Sequence, residues 1–101
     1  MHGPRFETIA PLVEAGRIKT FGDIFRWISR TRVAEAIHVR PGRLLLMITD
    51  PERIEIGEVY RLADLFSLDR EEMMALIRRH IPEAKKPGYK VPQLDYGSNV
   101  E

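Results

Sequence analysis

The chain contains no cysteine, and that one absence removes disulfides, thiolate nucleophiles and thiolate-ligated zinc together. Long apolar runs are missing too. The longest, Leu44 to Ile48, is far short of the about 20 residues that a membrane-spanning helix requires. The opening Met-His-Gly-Pro-Arg leads into no apolar signal segment. A cytoplasmic protein that does not insert into a membrane is therefore expected. Nor is there a glycine-rich phosphate loop, and Ser29, Ser67 and Ser98 have no nearby histidine to activate a hydroxyl. His2, His38 and His80 are scattered, without carboxylates at metal-ligand spacing. The series Asp50, Glu52, Glu55 and Glu58 lacks the ligand alternation and central glycine of a calcium loop and reads as a solvated acidic face. No enzyme, no metal and no cofactor is expected.

What is present is an uneven spread of charge. The formal net charge is only +1, yet residues 17–43 hold seven Arg or Lys against two Asp or Glu, and residues 50–72 hold eight acidic residues against three Arg. A basic stretch beside an acidic one fits a polyanion-binding face, and it also fits a set of solvated charged helices. At 101 residues the chain suits one domain, burying about 60–65% of the surface its unfolded form would expose.

Apolar spacing divides the chain into short helices. Thr8 to Ala15 is the first, with Thr8 as N-cap, Pro11 tolerated in the first turn and Gly16 as its stop. In the second, Thr20 and Asp23 form a capping box, and Phe21, Ile24, Phe25 and Ile28 make a core stripe. Trp27 lies off that stripe and is expected against the N-terminal helix. Ser29 caps the third, whose inner side is Val33, Ala34 and Ile37. His38 then sits in a turn that calls for positive φ. Pro41 suits the first position of the next helix, with Leu44, Met47 and Ile48 inward, and Asp50-Pro51 ends it. Val59, Leu62, Ala63 and Phe66 form the face of a fifth helix. A last helix opens with an Asp69/Glu72 capping box and continues through Met73, Leu76, Ile77 and His80 or Ile81. From Pro82 onward prolines and glycines multiply, so residues 82–101 are expected to be a flexible tail. The division expected is 1–19 as an accessory helix and linker, 20–81 as the domain, and 82–101 as the tail.

The run from Ser29 to Val39, followed by Leu44 and Met47 and then by "EVYRLADLFSLDREEMMAL", resembles the phage-repressor (Cro-like, XRE) helix-turn-helix family over about residues 20–78. In that family the first motif helix opens with Ser or Thr, carries an alanine at the helix crossing and ends in a glycine turn before an apolar residue. Ser29, Ala34 and Val39 match, while His38 stands in place of the glycine. Ala63 corresponds to the small packing residue of the fourth family helix. The resemblance implies an all-α, lambda-repressor-like compact bundle of about five helices. It also implies a bacterial or phage-type transcriptional regulator that binds double-stranded DNA, usually as a dimer.

Transferred by position, Arg30 and Arg32 lie at the start of the first motif helix, while Arg40 and Arg43 flank the start of the reading helix, where cations meet phosphate. Arg43 is the one candidate base reader. Pro41 has no N–H to offer, and the outward positions hold Gly42, Leu45 and Leu46, which carry no side-chain donor or acceptor for base edges. The alternative for the arginines is a solvated surface with salt bridges to Glu35 or Asp50. Leu45 and Leu46 are expected to be buried under the N-terminal helix or the tail; the sharper alternative is an exposed patch for a protein partner or a second copy. A protein-interaction or dimerisation module on the same scaffold is thus the second functional reading. Lys85, Lys86, Tyr89 and Lys90 form a candidate basic-aromatic arm along a nucleic-acid backbone, with a soluble tail as the alternative.

Overall fold

Helix boundaries follow the side chains that satisfy the first free N–H groups. In the computed structural model, which describes residues 5–94, the Ser29 hydroxyl accepts from the Arg32 N–H at 3.2 Å and starts helix α2 (Arg30–Ala36). Asp69 and Glu72 exchange reciprocal bonds of 2.8 and 3.1 Å at the start of a long helix (Arg70–Ala84). Pro41 occupies the first position of α3 (Pro41–Thr49), where its missing N–H leaves no internal bond unmade. Helix α4 (Ile56–Phe66) begins where the Glu58 carboxylate accepts from the Glu55 N–H at 2.9 Å, and it ends in a left-handed Ser67. The helix from Arg70 to Ala84 is α5, and the N-terminal Ile9–Glu14 is α1.

Four details differ from expectation. Thr8 does not cap α1; its hydroxyl donates to the Arg5 carbonyl at 2.7 Å, and the chain enters α1 through a 3₁₀ turn, Phe6–Thr8. The capping box at Thr20 and Asp23 forms, yet the segment it opens, Phe21–Arg26, is a 3₁₀ helix. Its tighter bonds, such as Trp27 N–H to the Ile24 carbonyl at 3.0 Å, keep Gly22 against His80 of α5. Trp27 itself is half-buried, with the Arg17 guanidinium 5.6 Å above its ring. Helix α5 also runs through Pro82 to Ala84. Pro82 forfeits one internal N–H bond and crowds the Arg78 carbonyl one turn back, a cost that the packing of α5 on α4 and the core outweighs. The expected flexible segment is therefore corrected over 82–94: the chain turns at Gly88, whose φ is +76°, and returns as an extended strap with Tyr89 and Val91 packed on the core. Residues 95–101 of that expectation lie outside the described residues.

The architecture is all-α, with α2 packed on α3 and α4 on α5, and no strand among the described residues. One apolar core joins them. Phe21, Ile24, Phe25 and Ile28, then Val33, Ala34 and Ile37, then Leu44, Met47 and Ile48, and finally Leu62, Ala63, Phe66, Met73 and Leu76 are all buried in it. Ile9 of α1 and Ile18 of the following linker reach the same core. The inward faces agree with the apolar spacing because each helix is short enough for one stripe to decide its roll.

Candidate nucleic-acid interface

Helices α2 and α3 are joined by a turn in which His38 adopts φ +63°, the left-handed conformation its position requires. The Val39 N–H closes the turn on the Ala34 carbonyl at 3.0 Å. With Leu44, Met47 and Ile48 pointing inward, the opposite side of α3 presents Pro41, Gly42, Leu45, Leu46 and Thr49 to solvent. Leu45 is 42% and Leu46 36% exposed, which corrects the expectation that they are covered. The reason lies elsewhere in the fold. The N-terminal segment packs on α4, with Phe6 edge-on to Phe66 at 6.3 Å. The strap packs on α5, with Tyr89 edge-on to His80 at 5.6 Å. Neither has been drawn over α3.

The arginines diverge. Arg43 donates from Nε to Glu58 Oε2 at 2.9 Å and from Nη2 to Glu58 Oε1 at 2.8 Å, and Nη2 also donates to the Arg53 carbonyl at 2.9 Å. The Glu58 side chain is only 6% exposed. Its bidentate bond to Arg43 holds the carboxyl below the usual carboxylate range, against the burial that pushes it upward. Two expectations are corrected here: the partner is neither Glu35 nor Asp50, and the candidate base-reading guanidinium is turned into the fold to tie α3 to α4. Asp50 pairs instead with Arg53 at 3.2 Å. Arg32 is partly buried, with its guanidinium 5.0 Å from the centre of the Phe6 ring.

Arg30 and Arg40 remain at the N-terminal ends of the two motif helices. Arg30 opens α2 and borders a depression shared with Thr31, Pro92 and Leu94; Arg40 is exposed at the N-cap of α3. Among the described residues neither has an ion-pair partner. Of the four arginines singled out by sequence, the structure thus leaves Arg40 exposed at the start of α3 and Arg30 half-buried without an ion-pair partner among the described residues, and engages Arg32 and Arg43 within the fold. Nothing local in the sequence pointed to Glu58, because it lies fifteen residues from Arg43 and meets it only through the packing of α3 on α4.

His80 was expected on the inner face of α5, and it is 1% exposed there. Its Nε2 lies 2.8 Å from the Ile48 carbonyl, one of the carbonyls left free at the end of α3. Since a carbonyl only accepts, Nε2 carries the proton and Nδ1 is a buried acceptor with no partner among the described residues. Burial pushes the imidazole pKa down, and the bond to Ile48 opposes that shift. Ile56, 57% exposed, and Tyr60, 37% exposed under Arg70 at 3.7 Å, form a separate apolar area on α4.

Among the described residues no group of three His, Cys, Asp or Glu could hold a metal ion, and no helix is long and apolar enough to cross a membrane. Compared with known protein families, curated proteins and solved structures, the chain matches none.

Proposed function

We propose that this protein binds double-stranded DNA through its helix-turn-helix, chiefly by phosphate contacts and with low sequence selectivity. The observation that carries the reading is the uncovered side of α3 with the exposed Arg40 at its N-cap, joined by the half-buried Arg30 at the start of α2, both without an ion-pair partner among the described residues. Gly42 permits close backbone approach, and Leu45 and Leu46 offer only apolar contact, for instance to a thymine methyl. Arg43 is left out of the contact set because its guanidinium holds the motif to α4.

The test is a fluorescence-anisotropy titration of a labelled random-sequence duplex at 50 and 200 mM salt. Affinity is expected to fall steeply with salt, and Arg30→Ala/Arg40→Ala is expected to weaken binding about equally on unrelated sequences. Absence of binding at 50 mM would end this reading.

A second reading, an interaction module that uses α3 against a protein or another copy of itself, is favoured by the exposure of Leu45 and Leu46. Under it, Leu46→Asp abolishes self-association in sedimentation equilibrium while circular dichroism is unchanged. A wild-type protein that sediments as a monomer throughout removes the self-association form of this reading.

A further inference from the structure

The basic-aromatic run near the C-terminus does not behave as one unit. Lys85 pairs with Glu52 at 3.0 Å and Lys86 with Glu83 at 3.2 Å. Tyr89 is turned inward: its ring meets His80, and its hydroxyl lies 3.4 Å from His80 Nε2. It is therefore unavailable for stacking on a base and acts as the seat that fixes the strap. Lys90, the next residue, is exposed and has no carboxylate within ion-pair distance among the described residues.

Lys90 borders a depression of about 300 Å³ together with Lys19, Arg26, Asp23 and Glu83. The two carboxylates there are already engaged. Asp23 accepts from the Lys19 and Thr20 N–H groups at 2.9 and 3.1 Å and lies 3.8 Å from Arg26, while Glu83 holds Lys86. The Lys19 side chain, like that of Lys90, is exposed and has no ion-pair partner among the described residues. Pro92 borders this depression and also the adjoining one that contains Arg30. The rims of these two depressions thus bring together Lys19, Lys90 and Arg30, none with an ion-pair partner among the described residues.

We propose that the strap after α5 is part of the DNA-binding surface, with Lys90 and Lys19 extending the contacts of Arg30 along the phosphate backbone beyond the helix-turn-helix. This inference rests on the DNA-binding reading. Charge complementarity selects the partner: the exposed Lys19 and Lys90 ammonium groups, without ion-pair partners among the described residues, match the sugar-phosphate backbone, and the strap's exposed Gln93 beside Arg30 is the one amide at this edge. Tyr89 is a positioning residue, since it holds Lys90 opposite Lys19 and touches no ligand itself.

The experiment compares wild type, Lys19→Ala/Lys90→Ala and Lys85→Ala/Lys86→Ala by anisotropy on one random-sequence duplex between 50 and 200 mM salt. Circular dichroism first establishes that all three are folded. The two variants change formal charge equally, but the second removes lysines that are already paired. Each phosphate contact contributes about 0.9 to the slope of log affinity on log salt, so losing two reduces the fall in affinity over this range by about tenfold. That reduction is expected for Lys19→Ala/Lys90→Ala, with the control retaining the wild-type slope. Identical slopes in wild type and Lys19→Ala/Lys90→Ala, or equal losses in both variants, overturn the inference while leaving DNA binding intact. If wild type fails to bind at 50 mM, the DNA-binding reading falls and takes this inference with it.

Discussion

Replacing Gly22 with alanine probes the point where the 3₁₀ helix, α5, the end of α3 and the strap meet. A Cβ built on Gly22 would lie 2.5 Å from His80 Cε1, 3.0 Å from His80 Nδ1 and 3.2 Å from the Tyr89 hydroxyl. Carbon atoms in contact prefer about 3.5–4.0 Å, so the new methyl overlaps the ring by about 1 Å. The imidazole has little freedom to retreat, because Nε2 is held by the Ile48 carbonyl at 2.8 Å and Phe21 and Tyr89 stand edge-on at 6.0 and 5.6 Å. Overpacking of this kind costs about 1–3 kcal/mol. If the ring moves, the buried bond to Ile48 is lost, adding about 1–3 kcal/mol. The reduced backbone entropy of alanine in the unfolded chain offsets about 0.4–1 kcal/mol of this. The net expectation is a destabilisation of about 2–4 kcal/mol, read as a lower urea midpoint with unchanged m-value, using Trp27 fluorescence and circular dichroism. In a His80→Ala background, where the main clash partner is gone, the penalty should disappear and the same substitution should be neutral or stabilising by up to about 1 kcal/mol. An equal cost in both backgrounds, or no cost in wild type, would refute the assignment of His80 as the rigid neighbour.

Glu58→Ala leaves Arg43 without its bidentate partner and removes the acceptor at the start of α4, so a loss of about 2–3 kcal/mol in urea unfolding is expected. Arg43→Ala should likewise lower stability, and at equal folded fraction it should leave the salt slope of DNA binding unchanged; a flatter slope would return Arg43 to the phosphate-contacting set. Stability should also depend on pH at three groups. His80, with its pKa lowered by burial, contributes stability that is complete above its ordinary 6.5 and is lost as pH falls from there toward its folded value. Glu58, lowered by Arg43, loses its contribution further down, as pH drops below 4.5. Tyr89, raised by burial, contributes fully below 10.0 and loses that contribution as pH rises through its folded value. Urea midpoints from pH 4 to 8 check the acid side. In His80→Phe the decline beginning near 6.5 should be absent, and its persistence would assign that decline to another group.

The sequence alone determined the elements of this fold. The capping residues Thr20 with Asp23, Ser29, and Asp69 with Glu72 act across three residues, so their partners are readable from spacing. The same is true of the left-handed His38 and the stop at Gly16, which answer to the local backbone. The buried faces followed from apolar periodicity, because a short helix has one side it can hide. Even here the type of the Phe21–Arg26 helix and the passage of α5 through Pro82 escaped, since packing against neighbouring elements overrode the local signal. Tertiary structure decided the candidate site. Arg43 found Glu58 fifteen residues away, and His80 found Ile48 thirty-two residues away. Leu45 and Leu46 stayed uncovered because the segment at Phe6–Thr8 packed on α4 and the strap at Tyr89 on α5 instead. Caps and stripes are interactions within a turn or two of chain, whereas the partner of an arginine and the exposure of a leucine depend on how helices are placed against one another.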